Sequence, residues 1–199
     1  EYSYSSNQSD SIDTEEQEGS IINSLVKEKN KRIVIYTLIV VLGFILDRLT
    51  KAIVVNNLSL NVFRQVEIIP NFLYFAYVRN TGGAWSILSN ATWLLAIIST
   101  VAVVGITYYL FKKQLNLHYF ICGCLIVSGG LGNLFDRVIY QGVVDFIQTL
   151  PFGYSFPIFN IADIFVVCGS FYLIIYMLIE EYKTKKKSQE KIIDEEVKD

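Results

Sequence analysis

The sequence predicts a membrane all-α protein: four transmembrane helices, a small extracytoplasmic β-structure and a short surface helix. Three observations carry that expectation. Charge is segregated: of 17 Lys and Arg and 19 Asp and Glu in 199 residues, only 12 lie in positions 33–179, and five of those are acidic. Four apolar stretches have the roughly 20-residue length that crosses a ~30 Å hydrocarbon core. Between the first two lies a stretch of different texture, rich in β-branched and aromatic residues. Soluble domains are about a quarter charged, so an ordinary globule and a disordered chain are both excluded. A net charge of −2 leaves no basic footprint for a nucleic acid.

Residues 1–30 open with six acids and many Ser, Asn and Gln before the first Lys at position 27. That composition cannot bury a core and predicts disorder. It also lacks the basic start and apolar run of a secretory signal. The first span runs from Ile33 to about Val55. Its purely apolar part, Ile33–Leu46, is only 14 residues, so the span reaches the far interface with Asp47-Arg48-Leu49-Thr50-Lys51 included. In the region 56–90, two runs around Val62–Ile69 and Phe72–Val78 flank Pro70-Asn71, a turn signal, and predict the β-structure. Span two covers Ala91–Phe111 and span three Leu117–Phe135, joined by a short loop. The connection Val138–Pro157 is expected to form a shallow surface helix at Gly142–Leu150. Span four covers Phe159–Ile179 and contains Asp163. The membrane domain thus occupies 31–180, and residues 181–199 form a charged, partly helical cytoplasmic tail.

Orientation follows from Lys and Arg near the spans. Ten lie at the termini and in the 112–116 loop, and five (Arg48, Lys51, Arg64, Arg79, Arg137) on the other side. Both termini are therefore expected in the cytoplasm, with the polar clusters near the outer face of the membrane.

Ionisable groups in or beside spans are costly, and each marks a candidate site. They fall in five short segments: Asp47–Lys51, Arg79–Ser86, Gly132–Arg137, Val143–Ile147 and Phe159–Asp163. In a four-span frame all five lie at outer helix ends, at one depth. Some of these charges have a bland reading. Asp47 with Lys51 is an i, i+4 pair, and Asp136 with Arg137 reads as a paired interfacial charge. Asp145 and Asp163 have no basic neighbour in sequence. Two such carboxylates brought together cannot both ionise easily, and they divide into general acid and base. The only histidine, His118, sits at the opposite end of span three, which argues against a His triad or zinc site. Cys122, Cys124 and Cys168 lie within spans and read as small apolar groups. No metal or organic cofactor is implied. The alternative function is a small proton-coupled transporter, which needs polar residues through the full bilayer depth; a structural scaffold would leave Asp163 unexplained.

At these segments the chain resembles the lipoprotein signal peptidase family (signal peptidase II), over about Arg32–Ile179. Asp47–Lys51 is similar to the family's D-x-x-[ST]-K, and Asn80-Thr81-Gly82 with Ser86 to N-T-G-A-A-F-S. Gly132–Arg137 is similar to G-N-x-x-D-R, Val143–Ile147 to V-V-D-F-I, and Phe159–Asp163 to F-N-x-A-D. Gly83 and Trp85 depart from the usual Ala and Phe. The resemblance implies that Asp145 and Asp163 are the catalytic dyad of a membrane aspartyl peptidase. It implies that Asp47, Lys51, Asn80, Gly82, Asn133, Asp136, Arg137 and Asn160 line or support the site, with Asp136 in a structural ion pair. It further implies a diacylglyceryl-modified prolipoprotein as substrate, cut before the lipobox cysteine, and inhibition by globomycin-type antibiotics.

Overall fold

The computed structural model describes residues 4–58, 65–83, 88 and 91–196. Four helices, α1 (Tyr4–Leu58), α2 (Thr92–Lys112), α3 (Leu117–Tyr140) and α4 (Ile161–Glu196), account for most of the chain. All four contain a stretch long and apolar enough to cross a membrane. Their outward faces are apolar: Leu42, Val101, Val104 and Phe171 are all more than 60% exposed. In water such surface would be a liability; in a bilayer it is the required solvent contact.

The chain divides into two compact units, one ending at Leu38 and the other beginning at Ile39. In the first, the acidic stretch expected to be disordered is helical from Tyr4 onward. It has no proline and a single glycine, Gly19, so nothing in it breaks the backbone ladder of the span that follows. Residues 181–196, expected to be partly helical, likewise continue α4, with exposed Lys–Glu pairs such as Lys185–Glu181 along it.

The second unit holds the three spans α2, α3 and α4 with residues 39–58 of α1. A three-stranded antiparallel sheet sits at the end of α3 opposite the Lys113–Asn116 turn, in the order β1 (Gln65–Ile69), β2 (Leu73–Asn80), β3 (Val143–Thr149). The sequence placed the hairpin β1–β2 correctly around Pro70-Asn71. Its Val62, Phe63 and Arg64 lie outside the described residues, as do Trp85 and Ser86. One element differs in kind. Gly142–Leu150, expected to be a surface helix, is strand β3, and only Pro151–Gly153 forms a single helical turn. The Val-Val-x-Phe-Ile pattern favours a pleated surface, and β2 presents a free edge on which Val78 pairs with Asp145 and Asn80 with Val143. The other edge of β3 is covered in turn by Phe159, which exchanges backbone hydrogen bonds with Ile147 at 2.8 and 3.1 Å.

Two packing features position this end of the molecule. Val54 and Leu58 of α1 pack with Val144 and Phe146 of β3, and Ile161 closes the cluster. Between the spans, small residues let backbones approach. A Cβ at Gly129 would lie 2.2 Å from the carbonyl oxygen of Ala162, and one at Gly132 would lie 2.7 Å from the Asp47 carboxylate. The first obstacle is main chain and cannot swing aside. Gly129→Ala is therefore expected to destabilise the fold by about 1–3 kcal/mol through overpacking. Gly105→Ala, where nothing lies within 4 Å, should leave the thermal midpoint in detergent unchanged or raised. Equal midpoints for the two variants would remove the close α3–α4 approach from the account.

Candidate active site

Two carboxylates approach from different elements. Asp145 lies in β3, which is buried on both faces from Val143 to Phe146, and is itself 4% exposed. Asp163 occupies the third position of α4, at the helix N-terminus where negative charge is favoured. Asn160, fully buried, joins them. Its side-chain Nδ2 donates to Asp145 Oδ1 at 2.7 Å, while its backbone N–H donates to Asp163 Oδ2 at 3.1 Å. In return its Oδ1 accepts from the Asp163 backbone N–H at 3.1 Å. This reciprocal pair is a capping box, so the start of α4 and the placement of Asp163 are one structural event.

The remaining carboxylate oxygens are also held. Asn80 at the end of β2 donates to Asp145 Oδ2 at 2.9 Å, and its own Oδ1 accepts from Gly82 N–H at 2.9 Å in a tight turn. Asn133 of α3 donates to Asp163 Oδ1 at 2.7 Å. Its Oδ1 accepts from both Asn160 at 3.1 Å and Lys51 Nζ at 3.1 Å. Burial pushes the Asp145 carboxyl up to about 6, and the negative charge of Asp163 beside it acts in the same direction.

Behind this layer lies a buried ion network. Lys51 Nζ pairs with Asp47 Oδ1 at 3.0 Å and Asp136 Oδ2 at 2.8 Å. Arg48 pairs with the same two acids, with Asp47 Oδ2 at 2.5 Å and with Asp136 Oδ1, and it donates to the Gly132 carbonyl at 3.0 Å. Its guanidinium carbon stands 4.8 Å from the Phe135 ring centroid. Each acid also holds a backbone amide one residue before a carboxylate of the pair. Asp136 Oδ2 accepts from Val144 N–H at 3.3 Å, and Asp47 Oδ1 from Ala162 N–H at 3.2 Å.

Two expectations change here. The ion partners of Asp136 are Arg48 and Lys51 of another helix, not its neighbour Arg137. Successive helical residues point about 100° apart, so adjacency in sequence does not bring their charges together. Arg137 instead lines a cleft with Asp145 and Asp163, its Nε without a hydrogen-bond partner among the described residues. Arg48 was not singled out as a site residue; its only sequence signal was a second base in a span that already had Lys51. The structure brings Asp47, Lys51, Asn80, Gly82, Asn133, Asp136, Asn160, Asp145 and Asp163 together as described. His118 stays apart, its Nδ1 2.5 Å from the Tyr172 hydroxyl.

Two clefts meet at Asp145. One, about 560 Å³, runs between the spans with mainly apolar walls such as Ile164, Val166 and Val167, and it carries Asn133, Arg137 and Asp163 at its head. The other, about 460 Å³, lies against β2 and β3 and is lined by Arg79, Thr81, Gln148 and Ser155. Asn80, Asp145 and Phe156–Ile158 border both.

The fold and this constellation define a four-span membrane protein with an acidic pair under a small sheet. Residues 39–179 match the family model of signal peptidase (SPase) II. The chain belongs to that family. It is 41% identical over 152 residues to a lipoprotein signal peptidase of Listeria monocytogenes serotype 4b, covering 75% of this chain and 97% of that one. It is 39% identical over 155 residues to the lipoprotein signal peptidase of Bacillus subtilis, covering 77% and 99%. A bacterial membrane enzyme solved by the in meso method at 2.3 Å superposes with a TM-score of 0.67 at 38% identity, covering 73% of this chain and 88% of that one. A second, solved at 1.9 Å, gives 0.64 at 39% identity, covering 72% and 92%. The comparisons lend no support to a proton-coupled transporter.

The network contains two acids and two bases and is neutral as a unit. Asp136→Asn leaves an uncompensated cation among buried groups, and removing one partner from such a pair costs about 3 kcal/mol or more. The variant is expected to show a lowered thermal midpoint with residual activity, because Asp136 touches neither carboxylate of the pair. Wild-type stability in Asp136→Asn would show that the network carries no structural weight.

Proposed function

We propose that this chain is an aspartyl endopeptidase that removes the signal peptide from diacylglyceryl-modified prolipoproteins, cutting before the lipobox cysteine. The observation that carries the reading is Asn160, which touches Asp145 and Asp163 at once and fixes Asp145 where an apolar and a polar cleft meet, with Asp163 beside it in the apolar one. Family membership supplies the reaction class, and the geometry supports the division of labour.

Like charges held this close share one proton between them. The ionised member takes a proton from a water placed between them, and the water oxygen attacks the scissile carbonyl carbon. The protonated member gives its proton to the carbonyl oxygen. The tetrahedral diol then collapses: a hydroxyl proton returns to one carboxylate, the amide nitrogen takes a proton, and the C–N bond breaks to release the cysteine amine. Asn80, Asn133 and Asn160 keep both carboxylates aimed throughout, and Arg137 sets a positive charge beside them. Preorganisation of this kind is the main means by which such sites lower the barrier. A lipid-anchored substrate needs no further cofactor to find the site, since the bilayer fixes the depth of its scissile bond. Both termini then lie in the cytoplasm and the sheet on the outer face of the cytoplasmic membrane, and a globomycin-type inhibitor competes for the same pair.

Cleavage of a diacylglyceryl-modified prolipoprotein tests this. Asp145→Asn and Asp163→Asn are each expected to lower turnover by about a thousandfold or more, as loss of a reacting group does. Near-normal turnover by either variant would sink the dyad. The pH profile follows from Asp145. Its carboxyl ionises near 6 with the Asp163 charge beside it, and above that pH both members are ionised and no acid remains. kcat/KM is therefore expected to fall on the alkaline side with a midpoint near 6 that belongs to the pair as a unit. A profile flat up to pH 8 would contradict it.

A further inference from the structure

The polar cleft has a feature that proteolysis as such does not require. Its cationic wall is Arg79, which is exposed and directly precedes Asn80 on β2. Among the described residues Arg79 forms no ion pair, and Asp145 is the cleft's other formal charge. The stem of Arg79 lies over Gly142. A Cβ there would come within 3.0 Å of Arg79 Cγ and 3.1 Å of its Nε. The missing side chain gives the guanidinium a seat against the backbone that leads into β3, so it is placed rather than left free in solvent. Around it stand neutral hydrogen-bonding groups of Thr81, Gln148 and Ser155.

Resting on the peptidase reading above, substrate direction follows from the two clefts. The signal sequence and the acyl chains on the cysteine are apolar and belong in the membrane-facing cleft. The residues that follow the cysteine are the part of the substrate that leaves the bilayer, and the polar cleft begins at the shared wall of Asn80 and Asp145. We infer that Arg79 is a specificity-determining residue, selecting acidic over basic side chains at the first two positions after the lipid-bearing cysteine. An arginine is charged at every working pH, and its planar fork matches a carboxylate better than a lysine would. Among the described residues no hydrogen bond or ion pair joins it to either carboxylate of the pair, so it acts on which substrate is held and not on bond breaking.

Three diacylglyceryl-cysteine peptides test this, identical except that the cysteine is followed by Asp-Asp, Ser-Ser or Lys-Lys. The readout is the ratio of kcat/KM for the acidic and basic peptides within each enzyme preparation, from which the overall level of activity drops out. Wild type is expected to favour the acidic peptide about threefold or more, the scale of one partly exposed ion pair, and the preference should shrink as salt rises. Arg79→Glu is expected to reverse it, and Arg79→Gln, a neutral side chain of similar reach, to bring the ratio close to one. The same ratio in wild type and Arg79→Gln would overturn the inference while leaving the peptidase intact. Failure of wild type to cleave any of the three would overturn the peptidase reading, and this one with it.

Discussion

The structure depends on a neutral knot of four charges. Asp47, Arg48 and Lys51 project from one turn and a half of α1, Asp136 from near the end of α3, and each base touches both acids. Three of the four are almost wholly buried, with Asp47, Lys51 and Asp136 at 3% exposure or less. Charges taken from water at such a site are tolerated only when every member is matched. That requirement ties α1 to α3 in a single register. The spare acceptor capacity of the two acids then reaches further, to the amides of Val144 and Ala162. Each of those amides precedes one of the two acidic residues of the pair. One ion network thereby sets the height of both a strand and a helix.

The division between the two sets of acids is a matter of partners. Asp47 and Asp136 face cations, while Asp145 and Asp163 face amides, from Asn80, Asn133 and Asn160. An amide donor supports a carboxylate without supplying the charge that would hold it permanently ionised. A pair embedded in asparagines can therefore keep one proton, and a pair embedded in Arg and Lys cannot. Lys51 stands at the boundary, reaching Asp47 and Asp136 on one side and the Asn133 oxygen on the other.

Much of this was legible in the sequence. The scarcity of charge in positions 33–179 located the spans, and each of the five acids left there lay on the side where the site forms. The separation of Asp145 and Asp163 from any local base was visible as well. What the sequence could not show was pairing across helices. Asp136 beside Arg137 looked like an ion pair because only neighbours along the chain can be read, whereas the structure pairs Asp136 with two bases of α1. Arg48 escapes a sequence reading for the same reason. Gly142–Leu150 reads as a helix from sequence because a short connection carries little periodicity. Its β-branched residues mattered only once β2 offered an open edge. The helical extension at 4–32 reflects local hydrogen bonding, which composition alone does not report.

The claim on which the rest turns is that Asp145 and Asp163 share one electrostatic field and act as a pair. Infrared spectroscopy of the purified protein reads protonated carboxyl groups directly through their C=O stretch as pH is varied. The account predicts a buried carboxyl band titrating near pH 6 in the wild type, with a midpoint that moves lower in Asp163→Asn, where the neighbouring charge is gone and burial alone remains. An unchanged midpoint in Asp163→Asn would contradict it, because the two carboxylates would then be titrating independently.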